Sequence, residues 1–299
     1  MRFMFQYPEV TGRAADMLDA GDLGELAVIA ERAGFDGFSL TEHPAPPAKW
    51  LDNGGHQSLD PFVGLAYVAA MTTRLRLLTY LAVMPYRNPL LLAKSAATLD
   101  RVSGGRFILG VGTGYLKPEY RALGVDFDER NELFDEALEV MPLHWSGEPF
   151  DFEGKHFSCR GAIGLPAPAQ RPIPIWIGGN SKLTLRRIAQ RANGWMVLVG
   201  PPAMATAVRS PVASSAAEVR PMLDYLRDQA GERFAALDLV VPYPDHSVGL
   251  RTEVERHRQQ LGELAELGST WITVAGPGGP APATADYLQW FGEHFIGRS

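Results

Sequence analysis

Short apolar runs alternate with amphipathic helical stripes along this chain, and the alternation repeats eight times. No other feature narrows the fold as far. Arg2 to Tyr7 reads as a first strand, and Leu23, Leu26, Ala27 and Ala30 form a helical stripe that stops at Gly34. Strands follow at Phe35–Leu40, Leu75–Val83, Phe107–Val111, the run around Ile175–Ile177, Trp195–Val199, Leu237–Val241 and Thr270–Val274. Asp60-Pro61 and Asn88-Pro89 each set a capping side chain before a proline at the first helical position. Alternation of this kind selects a parallel sheet. Eight units close that sheet into an α/β (β/α)8 TIM barrel, whereas an open doubly wound sheet rarely needs so many. No linker or low-complexity stretch divides the 299 residues, so one barrel domain is expected over 1–299, with a Gly- and Pro-bearing insertion at about 147–171.

Composition removes several classes of partner. A formal charge of −6 argues against a nucleic-acid surface, which would be basic. No window of about 18 apolar residues is present, so no membrane span is expected. Glu9, Arg13 and Asp16 interrupt the early chain where a signal peptide would carry its apolar region. Cys159 is the only cysteine, which fits a reducing, cytoplasmic setting.

Barrel active sites lie at the C-terminal ends of the strands. Four stretches fall there. Glu42-His43 follow the second strand, and a histidine beside a carboxylate titrates near neutrality and moves protons. Tyr80-Leu81 end the third strand, where the residues by themselves read as core. Thr113, Gly114 and Tyr115 follow the fourth, without the spacing of a dinucleotide fingerprint. Gly178, Gly179 and Asn180 follow the fifth, with Asn180 and Ser181 offering a side-chain oxygen at the start of the next helix. A glycine turn meeting a helix N-terminus makes a seat for phosphate or carboxylate. The histidines show no metal-ligand spacing, so no metal is expected.

Together these stretches resemble the bacterial luciferase-like flavin and deazaflavin oxidoreductase family. The resemblance runs from Arg2 to about Val199. It is carried by Arg87-Asn88-Pro89, Ser103-Gly104-Gly105-Arg106, Gly110-Val111-Gly112-Thr113-Gly114-Tyr115 and Ile175-Trp176-Ile177-Gly178-Gly179-Asn180. It implies a barrel, often a homodimer, that binds coenzyme F420 or reduced FMN. It also implies a cis peptide at Tyr80-Leu81 beneath the cofactor ring, an acidic-His pair at Glu42 and His43, and a phosphate site at Gly178, Gly179 and Asn180. Two departures bear on chemistry. Thr113 stands where FMN-using luciferases commonly have an arginine, and Tyr115 where the family's sugar-phosphate dehydrogenases have a glutamate proton donor.

The expected activity is hydride transfer between F420 and a small organic substrate, with His43 and Glu42 catalytic and Glu42, His43, Tyr80, Leu81, Thr113, Gly114, Tyr115, Gly178, Gly179 and Asn180 around the cofactor. Alternatives are an FMN-dependent monooxygenase fed by a separate reductase and a non-catalytic flavin-binding protein. Trp50, Phe150, Phe152, Phe157 and Ile163, in the Ala45–Leu59 loop and the insertion, point equally to an apolar substrate or to a dimer contact.

Overall fold

The computed structural model describes residues 1–297. Its chain runs β1 (Arg2–Gln6), α1 (Leu23–Ala33), β2 (Gly37–Leu40), α2 (Ala48–Asp52), α3 (Pro61–Met71), β3 (Arg76–Thr79), β4 (Ala82–Val83), α4 (Pro89–Val102), β5 (Phe107–Gly112), α5 (Lys117–Ala122) and α6 (Arg130–Trp145). It continues through β6 (Phe150–Glu153), β7 (Ser158–Ala162), β8 (Ile175–Gly178), α7 (Lys182–Arg191), β9 (Gly194–Met196), α8 (Met204–Val208) and α9 (Ala216–Ala230). β10 (Asp238–Pro242), α10 (Val254–Glu266), β11 (Trp271–Ala275) and α11 (Ala281–Phe291) complete it.

Every pairing in the main sheet is parallel, and the order is β1-β2-β3-β5-β8-β9-β10-β11, with β11 returning to β1. That closes an eight-stranded barrel. The two-residue β4 pairs with the outer end of β5 and carries the chain across the mouth of the barrel. Alternate side chains of each strand point inward, where Met4, Leu78, Ile108, Trp176, Met196, Val240 and Trp271 fill the interior. Gly37 and Gly194 make room for this filling. A Cβ on the first would meet Met4 Sδ at 2.5 Å, and one on the second would meet the Trp176 ring at 2.5 Å. Outward positions such as Phe38, Leu40, Leu109 and Ile177 join the larger core under the helices.

Caps set the helix starts. Asp22 accepts from Gly24 N and Glu25 N, Asp60 from Phe62 N and Val63 N, and Asn88 from Leu90 N. Gly34 ends α1 in the left-handed region at φ 96°, a conformation glycine adopts without Cβ cost. The insertion forms the antiparallel β6–β7 hairpin, and the Ala45–Leu59 stretch, read as loop, contains α2. Among the described residues no helix is long and apolar enough to cross a membrane.

Candidate active site

At the C-terminal ends of the strands the mouth of the barrel opens into a cavity of about 590 Å³, within the ~300–1,000 Å³ usual for small-molecule sites. Its floor is made by the strand ends themselves. The Tyr80–Leu81 peptide bond is cis, as the resemblance implied. Leu81 lies across the bare backbone of two neighbouring strands. A Cβ on Gly178 would meet Leu81 Cδ2 at 2.4 Å, and one on Gly112 would meet Leu81 Cδ1 at 2.8 Å. The missing side chain of Gly178 therefore seats Leu81, where the sequence reading had assigned that space to a ligand. Gly179, at φ 114°, leaves its Cβ side toward the Thr184 and Ser210 hydroxyls, and both glycines line the cavity.

At the β8 side Ser181 caps α7, its Oγ accepting from Thr184 N at 3.1 Å. The N–H groups of the first helical turn have no partner within the helix, so this end favours anions. Asn180 does not face the cavity. Its side chain is buried, donating to Leu198 O at 2.8 Å and accepting from Leu198 N at 3.0 Å, because the loop after β9 needs both groups satisfied. The Asn180 side chain, expected at a phosphate, is thus committed to the Leu198 backbone, and Ser181 rather than Asn180 lines the cavity here. Three arginines that the motif reading missed line this side: Arg130, Arg187 and Arg209. Arg187 is buried and grips Asp135 through both edges, at 2.7 and 2.8 Å. Arg130 and Arg209 lie over the Phe127 ring, at 4.0 and 5.2 Å from its centroid.

Across the barrel, Glu42 and His43 follow β2, and their side chains take different partners. Glu42 is buried and turned to the chain after β3, where its carboxylate accepts from Val83 N at 2.7 Å and pairs with Arg87. Burial pushes its carboxyl above the usual range, against the pull of Arg87. His43 takes a different carboxylate. Its Nδ1 lies 3.0 Å from Oε2 of the fully buried Glu119 on α5, and Glu119 also accepts from Ala45 N at 3.1 Å and Tyr86 Oη at 2.9 Å. The expected Glu42–His43 pair is corrected accordingly.

A carboxylate accepts hydrogen bonds, so against Glu119 the donor is His43 Nδ1, and Nε2 is left toward Tyr115. Tyr115 Oη approaches that nitrogen at 3.5 Å. Burial, aided by Glu119 and Glu9, pushes the Tyr115 hydroxyl up to about 12, so it remains a donor at neutral pH. Trp50 packs on His43 with centroids 4.4 Å apart but does not line the cavity. Thr113, Gly114 and Tyr115 line the wall between the two sides.

Glu119 was missed because it is one of many surface-type residues on a helix. Only its spacing, four residues past Tyr115, placed it within reach. The insertion contributes nothing to the cavity: Phe150, Phe152, Phe157 and Ile163 are all absent from its lining. The hairpin is drawn to α6 instead, where Glu136 accepts from Lys155 N, His156 N and Phe157 N. The case for an apolar substrate therefore loses those residues. No metal-binding group of His, Cys, Asp or Glu occurs among the described residues.

The site is thus a cavity at the mouth of a closed parallel barrel, lined by strand ends and by the start of a helix. The chain belongs to the luciferase-like monooxygenase family, whose model matches residues 2–244. Uncharacterised proteins of Mycobacterium tuberculosis and Mycobacterium bovis are 36% identical over 183 residues, 57% of this chain, and the chain spans only 63% of their length. A protein of Gordonia bronchialis named F420-dependent glucose-6-phosphate dehydrogenase is 28% identical over 289 residues, covering 88% of this chain and 83% of that one. Among solved structures, a monooxygenase from Streptomyces bottropensis superposes with a TM-score of 0.78 at 22% identity over 99% of each chain. An F420-dependent secondary alcohol dehydrogenase holding an F420–acetone adduct gives 0.76 at 19% identity, over 99% of this chain and 98% of that one. At these identities the two structures speak for the fold.

Proposed function

We propose that this oxidoreductase transfers a hydride between coenzyme F420 and the carbinol or carbonyl carbon of a small substrate. The observation that carries the reading is one cavity lined by His43, backed by Glu119, and by the arginine-rich start of α7. The cofactor supplies the two-electron chemistry, and the chain supplies position, charge and a proton path. The Gly179–Ser181 turn, the first turn of α7 and Arg130 fit a phosphate-bearing tail. Leu81, the Tyr80–Leu81 backbone and Thr113 to Tyr115, which line the cavity, would hold the cofactor ring. His43 Nε2 takes the hydroxyl proton when an alcohol is oxidised and returns it when a carbonyl is reduced, while Glu119 balances the imidazolium charge. Tyr115 Oη supplies a second hydrogen bond at the same oxygen. Support also comes from the relatives named as F420-dependent.

The test is anaerobic turnover. With oxidised F420 and a panel of small alcohols, the reading expects bleaching of the visible deazaflavin band without oxygen. Turnover that needs oxygen and supplied reduced FMN would establish the monooxygenase reading in its place.

A further inference from the structure

Two buried carboxylates, Glu42 and Glu119, are held by consecutive residues, and they are held differently. Tyr86 and Arg87 lie in the short turn that carries the chain from β4 to α4. Arg87 gives its cation to Glu42, which also accepts from Val83 N. Tyr86 gives only a neutral hydroxyl to Glu119, 2.9 Å from Oε2. Both oxygens of Glu119 are thereby engaged, Oε1 by Ala45 N and Oε2 by Tyr86 Oη together with His43 Nδ1. Among the described residues no lysine or arginine pairs with Glu119, and His43 is its one basic partner. A guanidinium here would take the carboxylate's charge, as Arg87 takes that of Glu42. A phenol fixes the carboxylate and leaves that charge facing the histidine. The geometry serves a neutral or a charged imidazole alike, since Nδ1–H donates to the carboxylate in both.

Tyr86 has little freedom to turn elsewhere. Its ring is buried and meets Tyr120 edge-on, with centroids 4.8 Å apart. Tyr120 is fixed in turn by its hydroxyl, which donates to Thr113 O, and by the Phe127 ring, edge-on at 5.2 Å. Burial, with Glu119 alongside, pushes the Tyr86 hydroxyl far above the usual tyrosine range, so it keeps its proton and stays a donor. Because Tyr86 Oη and His43 Nδ1 share one oxygen, the hydroxyl sets how that oxygen meets the imidazole.

We propose that Tyr86 is a positioning residue for His43, acting through Glu119: its neutral hydrogen bond holds the carboxylate against His43 Nδ1 and leaves the carboxylate's charge to the imidazole. The proposal rests on the reading above for the step it serves, proton transfer at His43 Nε2.

The experiment compares wild type with Tyr86→Phe, Glu119→Gln and the double variant, each checked for folding by its melting temperature. Tyr86→Phe keeps the ring and its packing and removes only the hydroxyl. The first readout needs no cofactor. In protein carrying isotope-labelled histidine, the Nδ1–H proton of His43 is assigned by its loss in His43→Gln, and its exchange with water is followed by magnetic resonance. That exchange is expected to be at least about tenfold faster in Tyr86→Phe than in wild type, the loss of roughly one hydrogen bond. The second readout is anaerobic turnover with F420 and 2-propanol. Tyr86→Phe is expected to lower kcat roughly tenfold with KM nearly unchanged, and to cost nothing further once Glu119 is Gln. Equal exchange in wild type and Tyr86→Phe, a raised KM at constant kcat, or losses that simply add in the double variant would each overturn the proposal. Absence of F420 turnover in wild-type protein would count against the parent reading alone, because the histidine signal still decides the part played by Tyr86.

Discussion

His43 Nδ1 and Glu119 Oε2 lie 3.0 Å apart although 76 residues separate them in the chain. Glu119 is fully buried and holds three donors at once, so its removal has two consequences. Glu119→Ala leaves Ala45 N–H, Tyr86 O–H and His43 N–H without their acceptor and is expected to lower stability by about 1–3 kcal/mol. Glu119→Gln keeps much of the shape but removes the charge opposite an imidazolium. Its kcat is expected to fall roughly 10²-fold or more with F420 affinity unchanged. Thermal denaturation and steady-state kinetics read the two effects separately.

Leu81 and Gly178 form a second testable pair. Gly178→Ala puts a methyl group 2.4 Å from Leu81 Cδ2, an overlap that must move the floor. The expected cost is about 1–3 kcal/mol, together with weaker cofactor binding. Leu81→Ala in the same chain should relieve much of it. A double-mutant cycle in which the two costs simply add would show that they do not meet.

The anion seat predicts a salt response. Arg130 and Arg209 lie at the mouth, so cofactor affinity should weaken as ionic strength rises through the range where the Debye length shrinks to about 8–10 Å. Arg130→Ala and Arg209→Ala should each lower affinity and flatten that dependence. Arg187 differs, because its two-edged grip on Asp135 joins α6 to α7. Arg187→Met is expected to lower the melting temperature as well, which Arg130→Ala should not.

Acid should weaken the fold through His144. Its ring is buried, and desolvation with help from Lys94 holds its pKa below the ordinary histidine value of about 6.5. A depressed histidine favours the neutral form in the folded state. Its contribution is therefore present above about pH 6.5 and is lost as pH falls through the lower folded value. Melting temperatures measured between pH 7 and pH 5 should fall less steeply for His144→Gln than for wild type.

Much of the barrel was legible because hydrophobic period and caps act locally: Asp60-Pro61 and Asn88-Pro89 start helices whatever lies across the fold. The closure of β11 onto β1 followed only from counting units. Site details were harder, since they depend on contacts between distant residues. Nothing local distinguishes Glu119 from any helical glutamate, or shows that Glu42 would turn to Arg87. Asn180 looked like a ligand group because its demand to satisfy the Leu198 backbone is invisible in sequence. The cis bond at Tyr80-Leu81 was available through family resemblance alone, and the insertion's aromatics misled because exposure in a loop does not say which way the loop folds.

The most direct test of the account is an equilibrium titration of one protein preparation with F420 and with FMN under identical buffer and salt. The account predicts F420 binding near the micromolar level, about −8 kcal/mol, with FMN at least tenfold weaker. FMN binding as tightly as F420, or tighter, would contradict it.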